Sequence, residues 1–121
     1  MEYQHTMTEL PEESQYPKLV RDKIPDIIKE HDGYDVEVRR LNDEEFEEYL
    51  RKKVIEEATE LLRAETDNNF TEEIADVREL LDTLERLKGI SPRQMKKIQD
   101  EKRAKRGGFD KRLLMLGNGP A

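Results

Sequence analysis

The sequence predicts an all-α fold, a helical bundle built on an antiparallel pair of long helices and completed by oligomerisation. Three observations lead there. Apolar residues recur at helical spacing through two long stretches, about 43–66 and 69–88. A polar break, Asp67-Asn68-Asn69, separates them and favours a turn, so the second helix is expected to fold back on the first. Apolar residues make up only 34% of the chain and there is no Trp. That is a thin supply for several long helices, so subunits are expected to share a core, most simply as a homodimer.

Residues 1–16 read as a polar tail, with His5 an exposed tail residue. Residues 17–116 read as one helical domain and 117–121 as a second tail. Asp22 is the expected N-cap of a first helix, with Pro25 in its opening turn and Asp32-Gly33 at its end. Ile24, Ile27 and Ile28 can then face the core. Residues 34–41, through Val36 and Val38, suggest an extended linker or a short edge strand. Asn42 with Glu45 forms a capping-box variant that opens the first long helix. Its expected solvated face is Glu44, Glu45, Glu47, Glu48, Arg51, Lys52 and Glu56, with acids ahead of bases. The second long helix runs to about Lys88, and Gly89 closes it. Ser91-Pro92-Arg93-Gln94 starts a last, weakly apolar helix at the periphery, about 92–105. Gly107-Gly108 ends it, either as a simple cap or as a place where backbone can approach an anion. Leu113–Leu116 is expected to pack on the bundle or on another subunit.

Composition excludes several chemistries. Without Cys there is no disulfide, thiolate metal site or cysteine nucleophile. No apolar run approaches a membrane span, and the N-terminus lacks the regions of a signal peptide, so a cytoplasmic location is expected. A net charge of −7 disfavours nonspecific nucleic-acid binding, although 102–112 is locally basic. There is no phosphate-binding glycine loop and no G-x-S-x-G. Nucleotide chemistry would have to run on carboxylates, metal and basic side chains.

Charged residues make up 42% of the chain, so a carboxylate counts by position. At ~100° per residue, Phe46, Leu50, Val54, Ala58, Leu61 and Leu62 form one apolar arc. Glu57 falls inside it and Glu60 at its edge. Phe70, Ile74, Val77, Leu80, Leu81, Leu84 and Leu87 form the arc of the second helix, with Glu73 inside and Asp76 at the margin. Counted from the centre of the break, Glu60 and Asp76 come level, Glu57 lies deeper and Glu73 shallower. The four span ~10 Å along the hairpin. Carboxylates held that close and half-buried repel one another and lose solvation. A hard divalent cation, Mg²⁺ or Mn²⁺, relieves both. The plain alternative is a solvated acidic face.

The E-A-T-E of 57–60, twelve intervening residues and the E-I-A-D of 73–76 resemble the E-x-x-E…E-x-x-D signature of the MazG-like all-α nucleoside triphosphate pyrophosphohydrolases. KLVRDKIPDII (18–28) and EKRAKRGGF (101–109) are similar to the ends of small stand-alone, phosphoribosyl-ATP pyrophosphohydrolase-like members. The resemblance implies Mg²⁺-dependent cleavage between the α- and β-phosphates of a nucleoside triphosphate, with noncanonical nucleotides or phosphoribosyl-ATP as candidate substrates. It implies Glu57, Glu60, Glu73 and Asp76 as metal ligands. Glu56 would be a supporting carboxylate or base, ranked lower because its projection points away from the arc. Lys18, Arg21, Lys23, Lys102, Arg103 and Arg106 would be phosphate contacts. Phe46, Tyr49 and Phe109 are candidates to stack on a base. The rival reading is a noncatalytic helical interaction module, which leaves Glu57 and Glu73 in their apolar arcs unexplained.

Overall fold

The structure is a computed structural model that describes residues 16–119, and every helix boundary below refers to these. The described chain is all-helical: α1 is Ile24–Asp32, α2 Asp43–Arg63, α3 Asp67–Leu87 and α4 Pro92–Arg106. It divides at Lys88/Gly89 into two compact units, each taken by itself. The N-terminal tail, His5 included, lies outside the described residues except for Tyr16.

In the first unit, α2 and α3 pack closely as an antiparallel hairpin. The capping box at the start of α2 is complete. Asn42 Oδ1 accepts from the Glu45 amide at 2.9 Å, and the Glu45 side chain accepts from the Asn42 amide. Lys88 reaches back to Glu47 at 2.8 Å, tying the end of α3 to the start of α2.

The helix connection is not where the polar residues suggested. Asp67, Asn68 and Asn69 form the first turn of α3, and the break is Ala64-Glu65-Thr66. Thr66 is the reason. Its hydroxyl accepts from the Asn69 amide at 3.1 Å, which satisfies a free donor of the first turn, and Asp67 adds an acid where the helix dipole favours one.

Asp22 is likewise not the cap of α1. Lys23 holds that place in helical geometry without a side-chain cap, and the Ile24 amide donates instead to the Arg21 carbonyl at 3.0 Å. Gly33, at φ 79°, closes the helix in the left-handed region that glycine tolerates. Residues 34–41 form no strand.

The covered face of α2 is rotated away from its apolar arc. Leu50, 2% exposed, is the one fully buried apolar residue among those described. Glu56 and Glu57 are buried beside it at 6% each. Ala58, Ile55 and Leu62 of α2 are exposed, as are Phe70 and Leu81 of α3. The expectation that Glu56 belongs to a solvated face is therefore wrong. Its side chain lies under the covered side of the hairpin, where a lysine neutralises it.

The second unit contains α4. Ser91 caps it by accepting from the Gln94 amide at 3.1 Å, with Pro92 at the first position. Gly107, at φ 84°, ends the helix by donating to the Arg103 carbonyl at 2.8 Å. Phe109 and Leu113–Leu116 are exposed within this unit.

Candidate metal centre

The position of the helix connection decides which carboxylates meet. Counted from Glu65, Glu57 lies eight residues before and Glu73 eight after, so these two come level. Glu60 drops ~4.5 Å towards the connection and Asp76 moves the same distance deeper. The structure accordingly brings Glu57, Glu73 and Asp76 together, each offering one oxygen within 4.8 Å of the others. Glu60 is half-buried on α2 and is not in this group.

The cluster concentrates negative charge in partly buried surroundings. Glu57 is buried, and its carboxyl is pushed up to about 8. Burial is the largest cause, followed by a hydrogen bond shared with Glu73, the Glu73 charge and, more weakly, Asp76; Lys53 pulls the other way. Glu73 is half-buried, and its Oε2 is buried with no ordinary donor in reach. A protonated Glu57 is the neighbour able to serve it.

Two basic residues stand at the edges. Lys53 is 17% exposed, with Nζ 3.3 Å from Glu56 Oε1 and 3.8 Å from Glu57 Oε1. Its spacing, three and four residues ahead on the same helix, makes both contacts local. Arg21, just before α1, places Nη2 2.6 Å from Asp76 Oδ1. Sequence reasoning missed the Lys53 contacts, although K-x-x-E-E at helical spacing carries the signal. It assigned Arg21 to a substrate phosphate and did not foresee its carboxylate partner, because the pair is 55 residues apart.

The donor set fits a hard divalent ion. It consists of carboxylate oxygens within 4.8 Å of one another, the ligand type that Mg²⁺ and its relatives choose, beside a buried Glu73 oxygen without a partner. Deprotonated, Glu56, Glu57, Glu73 and Asp76 outnumber Lys53 and Arg21 by two charges, the charge of such an ion.

The other predicted residues are more dispersed. Lys18 Nζ lies 5.3 Å from the centre of the Tyr16 ring, and Lys23 is exposed at the cap of α1. Lys102, Arg103 and Arg106 belong to the second unit. There Arg103 folds over Gly108 and pairs with Asp110 at 3.3 Å. Phe46 and Tyr49 are half-buried on α2, with Lys52 5.3 Å from the Tyr49 ring centre; Phe109 is exposed in the second unit. A hollow lined by Asp43, Glu44, Glu47, Leu87 and Lys88 lies at the far end of the hairpin, away from the carboxylates. Of its acids, Glu47 pairs with Lys88 and Arg51, and none has a buried oxygen without a partner.

Comparison with protein-family models, curated proteins and solved structures gives no match.

Proposed function

We propose that the protein is a Mg²⁺-dependent nucleotide pyrophosphohydrolase that cleaves the α–β phosphoanhydride of a nucleoside triphosphate, releasing the monophosphate and pyrophosphate. The observation that carries this reading is the convergence of Glu57, Glu73 and Asp76 around the unserved Oε2 of Glu73. The likeness of the two acidic motifs to the MazG-like signature supports it. Mg²⁺ bound there would neutralise phosphate charge and lower the pKa of a bound water.

The chain's own groups do the rest. Glu57, Glu73 and Asp76 supply the ligands, with Glu60 joining from one turn nearer the connection. Lys53 holds Glu56 and Glu57 in place and offsets their charge. Arg21, with Lys18 and Lys23 from the same segment, supplies positive charge for the substrate phosphates. Positioning and charge neutralisation are the main contributions to catalysis in phosphoryl transfer.

The active form in this reading is a homodimer in the cytoplasm. Support for the dimer is the exposed apolar strip of Ile55, Leu62, Phe70 and Leu81 beside a core with Leu50 as its one fully buried apolar residue. Among the described residues no helix is long and apolar enough to cross a membrane. The same strip is the observation that favours a noncatalytic interaction module as the second reading.

The test is pyrophosphate release from canonical and modified nucleoside triphosphates and phosphoribosyl-ATP, with and without Mg²⁺, on the wild type and Glu73→Gln. The expected result is Mg²⁺-dependent release that the folded variant loses by at least ~100-fold, in keeping with removal of a group that stabilises transition-state charge. No release from any substrate, with no thermal stabilisation by Mg²⁺ plus nucleotide, would leave the interaction module standing.

A further inference from the structure

We propose that Arg21 is an exchangeable counter-ion. It pairs with Asp76 while no nucleotide is bound, and it passes to a substrate phosphate as Asp76 turns to the metal, so that metal and nucleotide each bind more tightly in the presence of the other. This deepens the nucleotide-hydrolase reading and rests on it.

The argument comes from the contrast between the two cations at the cluster. Lys53 is enclosed, 17% exposed, with two carboxylates that are themselves almost out of water. Its charge is needed where it is, because leaving would strand the buried Glu56 carboxylate. Arg21 is different. Its pair with Asp76 is short, at 2.6 Å, but the side chains are 60% and 37% exposed. Exposed pairs contribute ~0–1 kcal/mol, so this one is cheap to exchange.

Arg21 also has an anchored backbone and a free arm. Its carbonyl accepts from the Ile24 amide at 3.0 Å, which fixes the residue at the entry to α1 while the guanidinium stays at the surface. A guanidinium matches a phosphate as well as it matches a carboxylate, through two parallel hydrogen bonds. Asp76 is one of the three clustered ligands, so the oxygen Arg21 now holds belongs to the residue a divalent ion needs. The exchange keeps every charge paired. Asp76 trades a guanidinium for the metal, and Arg21 trades a carboxylate for a phosphate. Coupling between two ligands is reciprocal, so the tightening must appear from either side.

A purely structural role for Arg21, orienting Asp76 permanently, predicts the opposite sign. The experiment is titration of Mn²⁺ by calorimetry, with and without an α,β-methylene triphosphate analogue, on the wild type, Arg21→Gln and Arg21→Lys, with helicity checked by circular dichroism. The exchange predicts that Arg21→Gln binds Mn²⁺ alone about 2–5-fold more tightly, the equivalent of an exposed ion pair. It also predicts that Arg21→Gln loses most of the mutual tightening with the analogue, and that Arg21→Lys keeps part of it. Equal or weaker Mn²⁺ binding by folded Arg21→Gln, or undiminished coupling, overturns the exchange while leaving the hydrolase reading intact. Mn²⁺ binding by none of the proteins, even with the analogue, overturns the hydrolase reading and the exchange together.

Discussion

The two sides of the α2–α3 hairpin invert the usual distribution of residues. Helical projection puts Lys53, Glu56 and Asp76 on one side, and Ile55, Ala58, Leu62, Phe70 and Leu81 on the other. The first side buries charge: Glu56 and Glu57 are 6% exposed. The second leaves large apolar residues in water. A single chain optimised only for its own stability would do the reverse, because buried ions lose solvation and exposed apolar surface forgoes burial. The difference teaches that neither side is explained by the isolated hairpin. In the proposed reading the acidic side takes a cation and the apolar side a second copy of the chain.

The largest effect is expected from breaking the acidic side at its fixed cation. Lys53→Met leaves the buried Glu56 carboxylate without its partner and should cost about 3 kcal/mol or more in urea unfolding. Adding Glu56→Gln should recover a substantial part of that loss, since the amide needs no counter-charge. A small effect of Lys53→Met would mean that the acidic side is more hydrated than its burial indicates.

The apolar side is tested next. Leu62→Glu combined with Leu81→Glu should abolish self-association in sedimentation equilibrium. It should also remove the concentration dependence of Tm that an obligate dimer shows. If the wild type is already monomeric at all concentrations, the apolar strip faces a different partner and the interaction-module reading gains.

A third measurement separates the two sides by pH. In the folded, metal-free protein Glu57 titrates at about 8, against 4.5 for an ordinary glutamate. Between those values the folded state holds a proton that the unfolded state has released. Stability must therefore fall as pH rises from about 4.5 to 8, and it levels off above that range. Mg²⁺ competes with that proton, so the Tm increase it brings should be larger at pH 8.5 than at pH 6. Glu73→Gln removes the opposing charge but not the burial, so it should make the metal-free profile shallower without abolishing it. A wild-type profile that is flat without metal would contradict the raised Glu57 carboxyl.

Much of this was legible in the sequence, for reasons that are local. The capping box of Asn42 and Glu45, the Ser91-Pro92 start of α4 and the apolar periodicity of α2 and α3 all lie within a few residues, and the structure contains each of them. So do the motifs that place Glu57, Glu73 and Asp76 within one cluster. What was not legible depends on distance or on small energy differences. The Arg21–Asp76 pair spans 55 positions and leaves no periodic trace. Glu56 projects away from the apolar arc, yet it is buried, because Lys53 makes burial tolerable on that side. The helix connection fell three residues earlier than the Asp-Asn-Asn composition suggested, because Thr66 caps from the side chain and lets those residues begin a helix.

That last displacement supplies the smallest and sharpest prediction, because it sets the register on which both sides depend. Placed at 67–69, the turn would level Glu60 with Asp76 and leave Glu57 and Glu73 offset by ~9 Å along the hairpin. Placed at 64–66, it levels Glu57 with Glu73, the two carboxylates that meet in the cluster. Thr66→Ala should therefore cost about 1 kcal/mol, the ordinary value of a lost N-cap. Asn69→Ala should cost nothing measurable, because its backbone amide, and not its side chain, makes the contact. The reverse ranking would move the connection to the polar residues. It would also shift α3 by ~9 Å, more than one and a half turns, against α2 and replace the Glu57–Glu73 pair with Glu60 opposite Asp76.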